Sequence, residues 1–407
     1  MSNPETHEPC PCDSGLSYEH CCGITNRTAL NADIVARLTT DGVETNGKLT
    51  TQMDTALESF ATTPDLFPAR FNFFQQKAWF VKMSPRWFSE SVFLDPGRIR
   101  GTCIIESELE CLQQITRDIA WQPSAYIFHT AFCGSTLMAQ ALDAVFNCLP
   151  LREPEVLGNL LVYINSQATD SSPESKQKSE QDKRDWLDRI LRLLSRRYAP
   201  GQAAVIKAND YANPMMIKLL ECPHEIPVLF MYTPLAEFVA ACLKADHRRE
   251  WIRARYKLVS TDAQRLLKLP AGLSINDDDY AQMAAVYWCF NIALYLQAWR
   301  RFPEKLYSLD FNAMLAQPRE SVEACGRMFG LESLDDIDIN EQINGLLGVY
   351  SKNSQFNYSP QQRTDDIRRL QAEYKTEMDT AEQLAHQLLA DNYPDDLLPG
   401  HLIQTDD

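Results

Sequence analysis

The stretch Ala125-Tyr-Ile-Phe-His-Thr-Ala-Phe-Cys-Gly-Ser-Thr-Leu137 decides the fold, because an apolar run passes through small residues into a helical pattern. The run predicts a buried strand, and the small residues predict a tight turn into a helix. Backbone N–H groups at the start of such a helix attract anions. Gly134 allows close backbone approach, while Ser135 and Thr136 add hydroxyl donors. The stretch predicts an anion-binding loop, and the alternative is a helix cap without a ligand.

This loop differs from the Walker pattern, which needs an early glycine and a Gly-Lys-Ser/Thr ending. Thr130 takes the early position here, and the loop contains no lysine. The chain also alternates helical patterns with strand-like runs, which lie near Tyr126, Val205, Val228 and Leu306. This alternation predicts an α/β fold in which helices flank a parallel sheet. Ligands of such folds bind at the carboxyl ends of the strands.

Six segments follow one another in the order seen in a known family. They are residues 132–137, 151–154, 204–208, 228–234, 305–311 and 329–331. They resemble the sulfotransferase family, in particular the branch of the protein-tyrosine sulfotransferases. The resemblance spans residues 123–331 and implies a sulfotransferase-like core. Its loop would hold the 5′-phosphosulfate of 3′-phosphoadenosine 5′-phosphosulfate.

The resemblance also implies roles for individual residues. Glu153 would be the base that takes the proton of an acceptor hydroxyl, because the tyrosine-sulfating branch has a glutamate at nearly this spacing. His129, before the loop, is a second candidate for this chemistry. Alternatively, Glu153 pairs with Arg152 at a helix entrance, and His129 is structural. The residues that would hold the donor nucleotide are Cys133, Gly134, Ser135, Thr136, Leu137 and Lys207.

The chain departs from the family pattern at two functional features. The loop arginine or lysine falls on Phe132, and the residues that bind the 3′-phosphate fall on Tyr232 and Ala240. Neither of the latter two side chains can pair with a dianion as arginine does. A replacement cation would come from a pool of basic residues, namely Lys207, Lys244, Arg248, Arg249, Lys352 and Arg363.

Four cysteines near the start of the chain form a second motif. Their close spacing around a Ser-Gly turn suits tetrahedral Zn²⁺ coordination. The spacing resembles the SEC-C motif of the SecA preprotein translocase, which implies a zinc knuckle that can recruit a protein partner. Disulfide pairing is one alternative, and His20 as a ligand is another. The implied zinc ligands are Cys10, Cys12, Cys21 and Cys22.

Composition narrows the classes of partner. The chain of 407 residues has a formal net charge of −16, which repels nucleic acid and anionic membranes. The other cysteines occur singly, as is typical of a reducing cytosol. Because neither an apolar run of about 18 residues nor an apolar leader occurs, we predict a soluble cytoplasmic protein without nucleic-acid or membrane partners.

The patterns predict four regions. These are a zinc knuckle (1–24), a linker with an aromatic-rich accessory region (25–120), a sulfotransferase-like core (121–350), and a helical segment with an acidic tail (351–407). The aromatic-rich segment 67–93 is expected to lie in a core. The polar segment 166–182 is expected to be disordered, as a substrate lid can be.

The function that these features favour is transfer of a sulfuryl group from 3′-phosphoadenosine 5′-phosphosulfate to a hydroxyl on a small molecule or a protein. Two alternatives stay open. A nucleotide-dependent phosphoryl transferase would keep the loop without the family's 3′-phosphate residues. A non-catalytic binding protein that recruits a partner through the zinc knuckle would explain both departures.

Overall fold

A computed structural model of the protein describes residues 63–95, 99, 104–166, 173–270, 273–347, 360–394 and 396–403. The predicted zinc ligands lie outside these residues: Cys10, Cys12, Cys21 and Cys22. Lys352, one of the possible replacement cations, also lies outside them.

The regular elements of the described residues are numbered here in chain order. The strands are β1 (Leu66–Asn72), β2 (Lys77–Lys82), β3 (Ile104–Glu108), β4 (Ser124–His129), β5 (Cys148–Arg152), β6 (Ala203–Lys207), β7 (Val228–Tyr232) and β8 (Leu306–Asp310). The α-helices are α1 (Pro85–Glu90), α2 (Leu109–Ile115), α3 (Ser135–Val145), α4 (Glu155–Asn165), α5 (Pro173–Leu194), α6 (Met215–Leu220), α7 (Leu235–Leu243), α8 (Asp246–Leu266), α9 (Tyr280–Trp299), α10 (Phe311–Ala316), α11 (Pro318–Phe329), α12 (Ile339–Leu347), α13 (Pro360–Glu373) and α14 (Lys375–Leu389). Short 3₁₀ helices span Thr116–Asp118, Asp210–Ala212 and Ala390–Asn392.

A parallel sheet has the strand order β5-β6-β4-β7-β8. Every residue of β4, β5, β6 and β7 is buried, which is the pattern of strands covered on both faces. Val228 of β7 pairs with Tyr126 of β4 and with Leu306 of β8, both in parallel register. Helices separate the strands along the chain. The predicted α/β class with a parallel sheet flanked by helices is confirmed.

The chain divides into two compact units. The first unit contains the described residues up to Ala125 and Phe146–Asn209, and the second contains Tyr126–Val145 and the described residues from Asp210 onward. The predicted domain boundaries stay a prediction.

In the first unit, β1, β2 and β3 form an antiparallel sheet against which α4 and α5 pack. The rings of Phe71 and Phe73 meet Trp186 of α5 edge to face, with centroids 6.1 and 5.4 Å away. Phe71, Phe73 and Phe80 are buried, whereas Phe74 is 66% exposed. The aromatic-rich segment therefore contributes mainly to a core, as expected from its sequence.

Helix α5 begins at Pro173, within the segment 166–182 that composition predicts to be disordered. The prediction is wrong from Pro173 onward. The buried Lys183 explains why, since its ammonium group bonds both Glu180, one turn earlier, and the carbonyl oxygen of Ser166. Such pairs stabilise a polar helix that composition alone does not favour.

The second unit is built around α9, which is buried along most of its length. It packs against α7, α8 and α14, and a helix that is apolar all round is typical of a core position. The Tyr295 hydroxyl of α9 also donates a hydrogen bond to the carbonyl oxygen of Pro399 at 2.5 Å. This bond ties the segment after α14 to the core of the unit.

None of the helices in the described residues combines the length and the apolar character needed to cross a membrane.

Candidate functional site

The loop between β4 and α3 has an uncommon backbone conformation. Ala131, Phe132 and Gly134 have φ angles of +69°, +52° and +73°. A residue with a side chain gives up about 1 kcal/mol or more in this region. Such conformations are concentrated at binding and catalytic sites. The loop is therefore a candidate ligand site of the second unit.

Helix α3 starts directly after the loop, with Ser135 and Thr136 in its first turn. These residues are only 5% and 4% exposed, yet within the described residues neither hydroxyl forms a hydrogen bond. The first N–H groups of a helix likewise lack partners inside the helix. This helix start therefore offers unused donors to an anion.

His129 stabilises the start of the loop. Its Nδ1 accepts a hydrogen bond from the Ala131 N–H at 3.0 Å, and the residue is 3% exposed. The Asn213 side chain donates to the His129 carbonyl oxygen at 2.9 Å and to Asn291 at 2.6 Å. These bonds support the structural alternative for His129, whose part in proton transfer stays a prediction. Sequence reasoning missed both asparagines, because nothing local links them to the loop.

The ring of Phe311 fills the space beside Gly134. A Cβ atom at Gly134 would lie 2.2 Å from Phe311 Cε2. The Arg363 guanidinium in turn lies 4.7 Å from the centroid of that ring. The glycine is thus required by a packing contact inside the second unit, while its approach to an anion stays a prediction. Only the position of Phe311, directly after β8, could have drawn attention to it.

Two of the predicted nucleotide-binding residues have side chains that belong to the core. Cys133 is 1% exposed, and its thiol donates to the carbonyl oxygen of Met231 at 3.3 Å. Leu137 is 7% exposed. Any contribution of Cys133 or Leu137 to an anion site must therefore come from the backbone.

In the first unit, Glu153 forms a salt bridge with Lys207. Its Oε1 lies 2.5 Å from Nζ of Lys207, and the two side chains are 14% and 1% exposed. The ammonium group also lies 5.6 Å from the ring centroid of Phe93. Such a buried ammonium group needs a partner of opposite charge. Glu153, the predicted base, and Lys207, a predicted nucleotide-binding residue, are therefore partners in one ion pair.

The backbone around Glu153 is also constrained. Its φ angle is +57°, and its N–H donates to the Lys207 carbonyl oxygen at 2.6 Å. The neighbouring Arg152 uses its guanidinium to bond the carbonyl oxygens of Ser89 and Ser91, each at 3.0 Å. Glu153 thus has Lys207 as its charged partner, and the predicted alternative of a pair with Arg152 is wrong.

Two oxygen acceptors beside this salt bridge lack partners. Within the described residues, Oε2 of Glu153 forms no hydrogen bond. Asn209, whose Nδ2 is 3.5 Å from the Glu153 carbonyl oxygen, has a buried Oδ1 that no group of the described chain bonds. Carboxylate and amide oxygens can both accept from a hydroxyl. The salt bridge therefore leaves hydrogen-bonding capacity unused.

Neither of the other departures from the family pattern provides a charge. The Tyr232 hydroxyl accepts a hydrogen bond from the Leu398 N–H at 2.9 Å. Burial raises the pKa of Tyr232, so this hydroxyl stays protonated. Ala240 is fully buried in α7. The side chains at these two positions therefore pack in the core of the second unit.

The possible replacement cations differ in whether a carboxylate of the chain neutralises them. Arg248 alone, among those described, has no ion pair within the described residues. Its guanidinium donates to the Ala241 carbonyl oxygen at 3.1 Å and lies 4.9 Å from the ring centroid of Phe132. The others form the pairs Lys207–Glu153, Lys244–Asp366, Arg249–Asp246 and Arg363–Glu237.

A polar cluster that the sequence did not reveal also lies in the second unit. Arg255 donates to Asp210 Oδ2 at 2.6 Å, and the Tyr287 hydroxyl donates to the same oxygen at 2.7 Å. Arg255 also stacks on Tyr211 and Trp251. Burial, followed by the Asp210 carboxylate, raises the pKa of Tyr287 well above its ordinary value. Because its charges are matched and bonded, this cluster supports the fold.

Comparison with known families identifies one short segment. The SEC-C motif model matches residues 8–24, which confirms the motif recognised from the cysteine spacing. In the part of the chain that the structure describes, no group of three or more His, Cys, Asp or Glu side chains is arranged to hold a metal ion. No curated protein matches the chain significantly.

Two solved structures are similar to the chain. The sulfotransferase domain from the curacin biosynthetic pathway is 11% identical, covers 63% of this chain and 99% of that domain, and has a TM-score of 0.34. The sulfotransferase domain from the Synechococcus PCC 7002 olefin synthase is 12% identical, with coverages of 64% and 98% and a TM-score of 0.35. Both are sulfotransferase domains, the family that the sequence resembles.

Proposed function

We propose that the protein transfers a sulfuryl group from 3′-phosphoadenosine 5′-phosphosulfate to a hydroxyl acceptor. One observation carries the proposal. A loop of positive φ angles leads into α3, where Ser135 and Thr136 are largely buried and their hydroxyl groups bond nothing in the described residues. Together with the helix N–H groups, such donors bind an oxyanion.

The start of α3 supplies the donor's anion site in this proposal. The N–H and hydroxyl groups of Ser135 and Thr136 bind the phosphate that carries the sulfuryl group. As the bond between sulfur and the bridging oxygen breaks, the electron pair and negative charge pass to that phosphate. Fixed donors stabilise charge that develops in this way.

Glu153 is the proposed base. The acceptor oxygen forms the new bond to sulfur, and its proton passes to Oε2 of Glu153. Lys207 holds the other carboxylate oxygen, Oε1, at 2.5 Å, which fixes the direction of the carboxylate. Lys207 is thus a positioning residue in this proposal.

The residues fit the phosphosulfate end of the donor better than its 3′-phosphate. The start of α3 offers hydrogen-bond donors to the former. At the positions where the resemblance places the 3′-phosphate, Tyr232 and Ala240 are buried and uncharged. We therefore expect the affinity for the donor to depend mainly on the loop.

The melting temperature in the presence of nucleotides tests the proposal, because a ligand that binds the folded state stabilises it. Adenosine 3′,5′-bisphosphate should raise the melting temperature more than ATP or GTP does. The Ser135→Ala/Thr136→Ala double variant should lose most of this increase. A larger increase with ATP and Mg²⁺ would favour the phosphoryl transferase.

A non-catalytic binding protein is the second candidate function, and the salt bridge of Glu153 with Lys207 favours it. In this case the salt bridge is architectural. The SEC-C cysteines then bind Zn²⁺, for which four thiols are a suitable ligand set, and the knuckle recruits a partner. A lack of response to every nucleotide in a folded, zinc-loaded protein would support this candidate.

A further inference from the structure

We propose that Arg248 supplies the cation of the anion site at the start of α3, and that Phe132 holds the guanidinium in place by stacking. The inference rests on the proposed function, because it concerns the ligand of that same loop. It also assigns a chemical class to the ligand, which carries adjacent phosphate or sulfate groups.

The first argument is that Arg249 has a carboxylate partner, whereas its neighbour Arg248 has none in the described residues. Arg249 pairs with Asp246 and donates to the hydroxyl of Tyr374. Arg248, the preceding residue, is half-buried and has no carboxylate partner in the described residues. A half-buried charge without a counter-ion is unfavourable. A ligand of negative charge would remove that cost.

The second argument is the position of Arg248 in its helix. The residue lies in the first turn of α8, where its N–H bonds the Ala245 carbonyl oxygen. The aligned peptide dipoles give this end of a helix a partial positive charge, which disfavours a cation. The one carboxylate of this first turn, Asp246, pairs with Arg249, so a bound anion would be attracted by both the helix end and Arg248.

The third argument is the contact with the loop. The Arg248 guanidinium lies 4.9 Å from the ring centroid of Phe132, and the rings of Phe132 and Trp251 pack edge to face with centroids 4.9 Å apart. Phe132 precedes Ser135 by three residues, so their Cα atoms are at most about 11 Å apart. The guanidinium is thus held beside the loop that leads into α3.

Stacking also suits the guanidinium to this role. A guanidinium that lies over a ring keeps its N–H groups at its edges, where they can bond two oxygens of one phosphate or sulfate group. One anionic group of the ligand would bind at Ser135 and Thr136, and the next would meet Arg248. The aromatic residue of the loop is Phe132, and the cation beside it is Arg248, which belongs to α8.

Titration calorimetry with inorganic pyrophosphate tests this assignment. We expect Arg248→Gln to weaken pyrophosphate binding about tenfold, the size of one charge-assisted contact. Arg249→Gln is the matched control, because it removes the same charge from the adjacent residue, and it should change the affinity less than about twofold. Arg248→Lys should recover only part of the affinity, since lysine cannot bond two oxygens in the same way. Melting temperatures measured in parallel verify folding.

Several results would overturn the proposal. Equal affinities of the wild-type and Arg248→Gln proteins would do so, as would equal losses in the two glutamine variants, because the effect would then be one of overall charge. Failure of the wild-type protein to bind pyrophosphate would also overturn it. By contrast, binding that depends on Arg248 without any response to adenosine 3′,5′-bisphosphate would overturn the proposed donor and leave Arg248 as assigned.

Discussion

Lys207 in the first unit and Arg248 in the second unit are both cations next to an aromatic ring, but their charges are treated differently. Lys207 is 1% exposed and has Glu153 as a partner at 2.5 Å. Arg248 is half-buried, stacks on Phe132, and has no ion pair in the described residues. The deeply buried charge is neutralised by a carboxylate of the chain, whereas the more accessible charge is the one that we propose binds a ligand.

This difference follows from the free energy of taking a charge out of water. A fully buried ammonium group without a partner would destabilise the fold by several kcal/mol, so its carboxylate must be part of the chain. A half-buried guanidinium keeps part of its hydration, and the fold tolerates it without a carboxylate. Lone cations of this kind are therefore better indicators of ligand sites than fully buried pairs.

The largest expected effect concerns the pair of Glu153 and Lys207. Glu153→Gln should reduce sulfuryl transfer by about 10²- to 10⁴-fold, because an amide cannot accept the proton. The same variant should lower the free energy of unfolding by about 3 kcal/mol, since the buried ammonium group of Lys207 would lose the carboxylate that neutralises it. Turnover assays and urea denaturation measure the two effects.

A double variant separates these two effects. Glu153→Gln/Lys207→Met removes both charges and places an apolar side chain near Phe93, so most of the lost stability should return while turnover stays low. Restored turnover would show that only stability was affected. A stable Glu153→Gln protein with unchanged turnover would exclude Glu153 as the base, and His129 would be tested next.

The next effect concerns the loop beside Arg248. Gly134→Ala should lower the free energy of unfolding by about 2 to 3 kcal/mol, because the new methyl group overlaps Phe311 and φ is +73°. Gly330→Ala is the matched control, with a φ of +65° and no atom within 4 Å of the added Cβ. It should lose only about 1 kcal/mol. Equal losses in the two variants would mean that the contact with Phe311 contributes nothing.

A smaller effect is expected for the ring that positions Arg248. Phe132→Leu should weaken pyrophosphate binding about threefold, because the guanidinium loses its cation–π contact. Phe132→Trp should retain wild-type affinity, since it keeps an aromatic face. If leucine and tryptophan gave the same affinity, the ring would have no positioning role. Calorimetry compares the affinities, and an unchanged melting temperature excludes a general packing defect.

Loss of zinc is expected to have the smallest effect on the stability of the two units. A Cys12→Ser/Cys21→Ser variant should lose the single Zn²⁺ ion that we expect per chain, because two of four thiol ligands are removed. The free energy of unfolding of the core should change by less than about 0.5 kcal/mol, because the motif is a short segment, residues 8–24, whose thiols lie close together in the chain. Metal analysis and urea denaturation measure both quantities. Full zinc content in this variant would contradict the ligand assignment.

The parallel sheet could be predicted because its strands are short, continuous apolar runs, as in Val228–Tyr232 of β7. The start of α3 could be predicted from the small residues that precede it. The order of residues 173–182 could not, since it depends on bonds of Lys183 to Glu180 and Ser166. Composition reports hydrophobic burial but not such pairings.

The sequence by itself determined the α/β class, the loop before α3 and the SEC-C motif, because each depends on residues that are close together in the chain. Only the tertiary structure decided that Glu153 pairs with Lys207 and that Arg248 stacks on Phe132. Both contacts join residues that are far apart in the chain and meet only when the elements pack. Whether a charge is neutralised depends on such long-range contacts. Residue type alone therefore could not show that Lys207 has a carboxylate partner and that Arg248 has none in the described residues.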